Sequence, residues 1–132
     1  MEEGLDIAAL KARAEQGDKD SQFQLGAAFD EGRGVAQDHR SAAWWYRLAA
    51  AQGHAEAQCN LGVMYASGHG VVQDDVEAVK WYRLAAAQGD KEAQFMLGMA
   101  YGLGRGVTRN IEESKKWYRL AVAQDALQPP GS

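Results

Sequence analysis

The sequence predicts an all-α protein, a solenoid of antiparallel helix pairs, and three observations predict it. A shift of 36 residues aligns 18–53, 54–89 and 90–125 without a gap, leaving thirteen columns identical in all three segments. Within each segment, small and apolar residues twice recur at i, i+3, i+4 and i+7, the stripe of a helix with one buried face. Twelve of the fifteen glycines fall in repeated columns, so the breaks between helices repeat with the helices.

The elements follow in order. Residues 1–17 form an N-terminal capping helix, because 5–16 align with the second helix of a unit alone. Units one, two and three occupy 18–53, 54–89 and 90–125. In the middle unit the first helix runs from about Ala55 to Ala66, with Gln58, Leu61, Gly62 and Tyr65 on one stripe. The stretch "SGHGVVQDD" ends it, its glycines suited to the left-handed backbone that terminates helices. Asp74 or Asp75 is placed to cap the second helix, which carries Ala78, Trp81, Tyr82 and Ala85 on its stripe and runs to Gln88 before Gly89 closes it. Seven helices result. Residues 126–132 read as a disordered tail, with "PPGS" consistent with a cloning remnant.

The shared columns have structural reasons. A mid-helix glycine costs about 1 kcal/mol relative to alanine. Its presence at Gly26, Gly62 and Gly98 therefore predicts a close helix–helix approach, helped by Ala49, Ala85 and Ala121. Trp45, Trp81 and Trp117, in one phase beside Tyr46, Tyr82 and Tyr118, read as repeated core contacts rather than an aromatic cage. Arg47, Arg83 and Arg119 read as structural ion-pairing partners.

Composition excludes several classes of function. With 14 basic against 18 acidic residues, the chain lacks the cationic surplus that nucleic-acid binding requires. No apolar run approaches the roughly 20 residues of a membrane span. The acidic N-terminus is unlike a signal peptide, so the sequence as it stands predicts a cytoplasmic protein; a trimmed leader would make it periplasmic or secreted. Cys59, the single cysteine, permits no internal disulfide.

No catalytic or cofactor motif emerges, and the chain is expected to be non-enzymatic and to need no metal or cofactor. The glycine turns have neither the G-x-G-x-x-G nor the G-x-x-x-x-G-K-[ST] spacing, and no strand precedes them. His39, His54 and His69 lie in different columns without zinc-ligand spacing. Neither S-x-x-K nor G-x-S-x-G occurs. Carboxylate pairs such as Asp74–Asp75 and Glu112–Glu113 suit helix first turns.

The stretch "AEAQCNLGVMYASGHGVVQDDVEAVKWYRLAAAQG", Ala55 to Gly89, resembles a Sel1-like repeat, the 36-residue relative of the tetratricopeptide repeat. The resemblance rests on Leu61-Gly62, Tyr65, Ala78 and Tyr82, recurs in each unit and covers about 120 residues. It implies a right-handed, tetratricopeptide-like superhelix and a bacterial adaptor or scaffold that binds proteins. Where the family often has proline after the turn's valine, this chain has Ala36, Val72 and Thr108. Cysteine-rich members of the family, some linked to penicillin binding, are the sole motive for a less favoured reading as an envelope enzyme.

A repeat protein holds its fold with shared columns and reads its ligand with variable ones, on the concave face lined by first helices. The variable columns flanking the core stripe are Phe23/Cys59/Phe95, Ala27/Val63/Met99, Asp30/Ala66/Gly102 and Glu31/Ser67/Leu103. This row grades from acidic to apolar along the chain. Its expected contacts are Phe23, Ala27, Asp30, Glu31, Cys59, Val63, Phe95, Met99 and Leu103, with Phe95, Met99 and Leu103 as apolar anchors for a protein or peptide partner. Two flanking rows, acidic Asp20/Glu56/Glu92 and basic Arg33/His69/Arg105, frame the same face; the basic row would steer an acidic segment. The alternative is a structural module acting through its ends. There Trp117, Leu120 and Val122 await a following helix, covered by Ala126–Leu127 or by a second copy in a homodimer.

Overall fold

A computed structural model describes residues 6–127. Seven helices follow one another: α1 (Ile7–Glu15), α2 (Lys19–Glu31), α3 (His39–Ala51), α4 (Ala55–Ser67), α5 (Asp75–Ala87), α6 (Lys91–Leu103) and α7 (Ile111–Leu127). Each packs chiefly on its neighbours in the chain, most closely within the pairs α2/α3, α4/α5 and α6/α7. This is the α-solenoid the sequence predicts. Helix α7 extends two residues into the segment read as tail; 128–132 and the side chains of Ala126 and Leu127 lie outside the described residues.

The boundaries have local causes. Asp18, His54 and Asp90 cap α2, α4 and α6 through side-chain acceptors for the backbone N–H three residues on. Asp38 and Asp74 do the same for α3 and α5. Gly32, Gly68 and Gly104 end the first helices in the left-handed conformation. The second glycine of each turn faces the preceding unit. A Cβ on Gly70 would stand 2.3 Å from the His39 carbonyl oxygen, and one on Gly106 2.3 Å from that of Asp75.

Close approach explains the mid-helix glycines. A Cβ on Gly26, Gly62 or Gly98 would lie within 3 Å of the ring of Tyr46, Tyr82 or Tyr118 and 3.1–3.3 Å from a backbone oxygen. Helix propensity yields to tight packing, with Ala49, Ala85 and Ala121 fully buried in the second helices. Trp45 and Trp81 are buried and Trp117 is half-buried against the α5/α6 core, so these rings fill space inside the array and line no cage. At the N-terminal end, Leu10 and Ala14 of α1 are buried with Leu25 and Trp45.

Successive units are also tied by a glutamine relay. The Gln88 amide donates to the Gly53 carbonyl and to Gln58 Oε1, both at 2.9 Å, while Gln58 Nε2 donates to the Ala50 carbonyl at 3.1 Å. Gln52/Gln22 and Gln124/Gln94 repeat the arrangement. The arginine column behaves otherwise than expected. Among the described residues Arg47 and Arg83 form no ion pair; each donates to the hydroxyl of the next unit's tyrosine, Tyr65 and Tyr101, with the guanidinium against the ring. A flat guanidinium stacks and donates at once, which a tyrosine uses better than a carboxylate does.

Candidate functional site

Two crevices open where successive first helices meet. The first has a volume of about 240 Å³ and lies between α2 and α4. Phe23, Ala27, Asp30 and Glu31 form one wall, Asn60, Val63, Met64 and Ser67 the other, with Tyr46 as floor and His69 and Glu92 at the rim. The second, about 90 Å³, lies between α4 and α6. Ala66 faces Met96, Met99, Ala100 and Leu103 across a floor of Ala78, Val79 and Tyr82, and Asp75 and Arg105 close one end. Helix α4 serves both, through Val63 in the first and Ala66 in the second, and α6 runs from Glu92 in the first to Leu103 in the second. The two crevices share no lining residue but lie along the same pair of helices, α4 and α6.

Their polar chemistry differs. Beside the first crevice His39 Nδ1 stands 2.8 Å from Asp30, its ring stacks on His69 at 5.3 Å, and Ser67 Oγ is 3.2 Å from His69 Nδ1. Burial, reinforced by the charge of Asp30, pushes the Tyr46 phenol up to about 12. In the second crevice the one charged pair, Arg105–Asp75 at 3.2 Å, is self-neutralising, and the remaining lining is apolar but for the Tyr82 phenol. Tyr82 is raised as well, first by burial.

The structure brings most of the expected contacts to the groove: Phe23, Ala27, Asp30, Glu31 and Val63 line the first crevice, Met99 and Leu103 the second. Met99 and Leu103 are 44% and 61% exposed, one helical turn apart on the same crevice wall, and it is adjacency of exposed apolar side chains that marks a contact site. Two residues are corrected. Cys59 is 1% exposed and packed among α5 and α6 core residues; it presents nothing to a ligand, and burial, then the charges of Glu92 and Asp90, hold its thiol protonated. Phe95, in the same column, is half-buried against Tyr118 at 6.1 Å and lines neither crevice. Its place on the apolar wall is taken by Met96, which reads on the same ridge as Met99 and Leu103 at i, i+3 and i+7. Asn60 and Met96 share a variable column, the signal that identifies them.

The basic row does not act as a unit. Arg33 pairs with Glu31 at 2.5 Å, Arg105 with Asp75, and His69 stacks on His39. Of the acidic row, Asp20 lies 3.4 Å from His54 and Glu92 reaches the first crevice. At the C-terminal end Leu120 and Val122 are exposed as expected, whereas Trp117 packs back onto the preceding unit. Among the described residues no group of three or more His, Cys, Asp or Glu is placed to hold a metal, and no helix is long and apolar enough to cross a membrane.

Comparison with known proteins agrees with this geometry. The family model described as Sel1 repeat matches residues 19–54, 55–90 and 91–125. A Sel1 repeat protein from Oxalobacter formigenes is 41% identical, each chain covering 90% of the other, with a TM-score of 0.81. A protective antigen of uropathogenic Escherichia coli with an SLR fold is 35% identical over 91% of this chain and 33% of its own, with a TM-score of 0.68. Cysteine rich protein B of Helicobacter pylori shares the fold at 20% identity, with 91% of each chain covered and a TM-score of 0.68. No curated protein matches the chain at a significant level. Sel1 repeat proteins generally mediate protein–protein interaction and are typically non-catalytic. With three matched repeats over most of its length, the chain belongs to the Sel1 repeat family.

Proposed function

We propose that this protein is a non-enzymatic adaptor that binds a segment of a partner protein along the groove shared by α2, α4 and α6. One observation carries the reading: Met99 and Leu103 stand exposed in a crevice whose floor includes the shared-column Tyr82 and whose walls are built from variable columns. A scaffold that keeps its floor and varies its walls is suited to reading a ligand. The test compares proteins captured by the wild-type chain with those captured by a Met99→Ser/Leu103→Ser variant, its fold verified by circular dichroism. A protein held by the first and lost by the second supports the groove; identical captures from both would sink it.

A second reading, a homodimer through the C-terminal end, is favoured by Val122. It is 55% exposed, whereas Ala50 and Ala86 in its column are buried beneath the next unit. Light scattering of wild type and Val122→Asp decides: a dimer that becomes monomeric on substitution supports this reading, and a monomeric wild type ends it.

A further inference from the structure

We infer that the groove takes an extended peptide segment carrying a basic side chain for the first crevice and an apolar side chain for the second. The inference rests on the proposed groove function and specifies its ligand. The first crevice is lined by three carboxylates, Asp30, Glu31 and Glu92, and by neither lysine nor arginine. Glu92 has a structural explanation, since it stands in the first turn of α6, where the helix dipole favours an anion. Asp30 and Glu31 have none of that kind. They occupy the last turn of α2, whose negative dipole end opposes them. The same columns hold Ala66 and Ser67 in unit two, Gly102 and Leu103 in unit three, so the fold does not require acid there. Two carboxylates kept against the dipole of a helix end create a site of negative potential that a guanidinium or ammonium group complements.

The neighbouring side chains leave that site open. Asp30 meets His39 and Glu31 meets Arg33 through side chains that are all more than a third exposed, and such surface pairs are weak and easily exchanged for a ligand's cation. The raised Tyr46 phenol at the floor is consistent with the same field. In the second crevice the single cation, Arg105, is matched by Asp75, and Met96, Met99 and Leu103 offer unbranched or flexible apolar surface that adapts to a leucine-, methionine- or phenylalanine-like side chain. Helix α4 borders both crevices, so the proposed peptide is laid across it to present one side chain to each. The second requirement, a basic residue, separates this ligand from a merely hydrophobic one.

Random peptides displayed on phage, panned against the full chain, test this. The expected selectants pair Lys or Arg with Leu, Met or Phe a few residues away. Replacing the peptide's basic residue by Gln weakens binding roughly tenfold, and Asp30→Asn/Glu31→Gln gives a similar loss with no further loss when both changes are combined. The same variant retains its melting temperature or gains slightly, because it removes charges the α2 dipole opposes; this keeps a binding loss from being a folding loss. Selected peptides that lack basic residues, or whose affinity the double variant leaves unchanged, overturn the inference while the groove reading stands. If no peptide is selected, or if Met99→Ser/Leu103→Ser binds all of them equally well, the groove reading falls and this inference with it.

Discussion

The first and second crevices occupy the same place in successive units, yet their linings scarcely agree. Thirty-six residues on, Asp30 becomes Ala66, Asn60 becomes Met96, Val63 becomes Met99 and Ser67 becomes Leu103; the His39 and His69 pair becomes Asp75 and Arg105. Only the floor persists, as Tyr46 and Tyr82. The difference teaches how labour is divided in the array. Backbone geometry is fixed by the tyrosine seated on a mid-helix glycine, by left-handed turn glycines and by the glutamine relay, none of which depends on the walls. The walls are then free to take opposite chemistry at no cost to the fold.

The comparison is most severely tested at the turns that seat one unit on the last. Gly70→Ala and Gly106→Ala combine a positive φ with a Cβ 2.3 Å from a carbonyl oxygen of the preceding second helix, and about 2–5 kcal/mol of stability should be lost in urea unfolding. Gly34→Ala has the same φ but meets the Ile7 side chain at 3.0 Å, which yields more easily than backbone, so about 1–2 kcal/mol is expected. Gly53→Ala, with nothing within 4 Å, isolates the cost of φ alone. Equal losses at Gly34, Gly53, Gly70 and Gly106 would show that the turn conformation governs stability and the contact between units does not.

Cys59 offers a smaller effect that sharpens the account of which column faces the groove. Phe23 lines the first crevice, whereas Cys59 is sealed beneath α5 and α6. Its thiol should be inert to an aromatic disulfide reagent in the native protein and react stoichiometrically in denaturant. Cys59→Ser, which buries a hydroxyl where a weakly polar sulfur sat, should cost about 1–3 kcal/mol. Rapid labelling of the folded chain would return Cys59 to the ligand face.

How far the sequence could be read follows from what the repeat does and does not encode. Gly62 was legible because a propensity penalty written three times requires a packing reason, and Tyr82 is that reason. Met99 and Leu103 were legible as variable residues beside a core stripe. Phe23, Cys59 and Phe95 share a phase, and phase gives the face of a helix but not the depth at which its neighbours bury it. A small residue such as Cys59 sinks where a ring is held partly outside. Phe95 meets the Tyr118 ring as Phe23 meets Tyr46, each within its own unit, but among the described residues only Phe23 faces a following first helix that closes a crevice over it. Arg47 and Arg83 misled for a similar reason: a periodic arginine suggests a periodic carboxylate, and the partner is a hydroxyl on the next unit.

The smallest expected effect lies at the caps of the helices that floor the crevices. Asp38 and Asp74 cap α3 and α5 alike through two backbone N–H groups, at 3.1 and 3.2 Å for Asp38 and 3.0 and 3.1 Å for Asp74. Asp38 alone also accepts the Ser41 hydroxyl, at 2.8 Å, because unit two carries Glu77 in that column. That hydroxyl is the largest cause holding the Asp38 carboxyl below its ordinary range. A carboxyl whose pKa is lowered by folding stabilises the native state above its unfolded pKa and loses that contribution as pH falls through the folded value. The window therefore lies below about pH 4. Ser41→Ala should flatten the fall in melting temperature across that window by lowering the neutral-pH value slightly while the acid end stays almost unchanged, and Glu77→Ser should steepen the fall by giving Asp74 the same donor and raising the neutral-pH value slightly. Asp38 is fully solvated, so salt should shrink both changes without reversing either. An acid limb indifferent to Ser41 would mean that the two caps are equivalent and that the units differ in their walls alone.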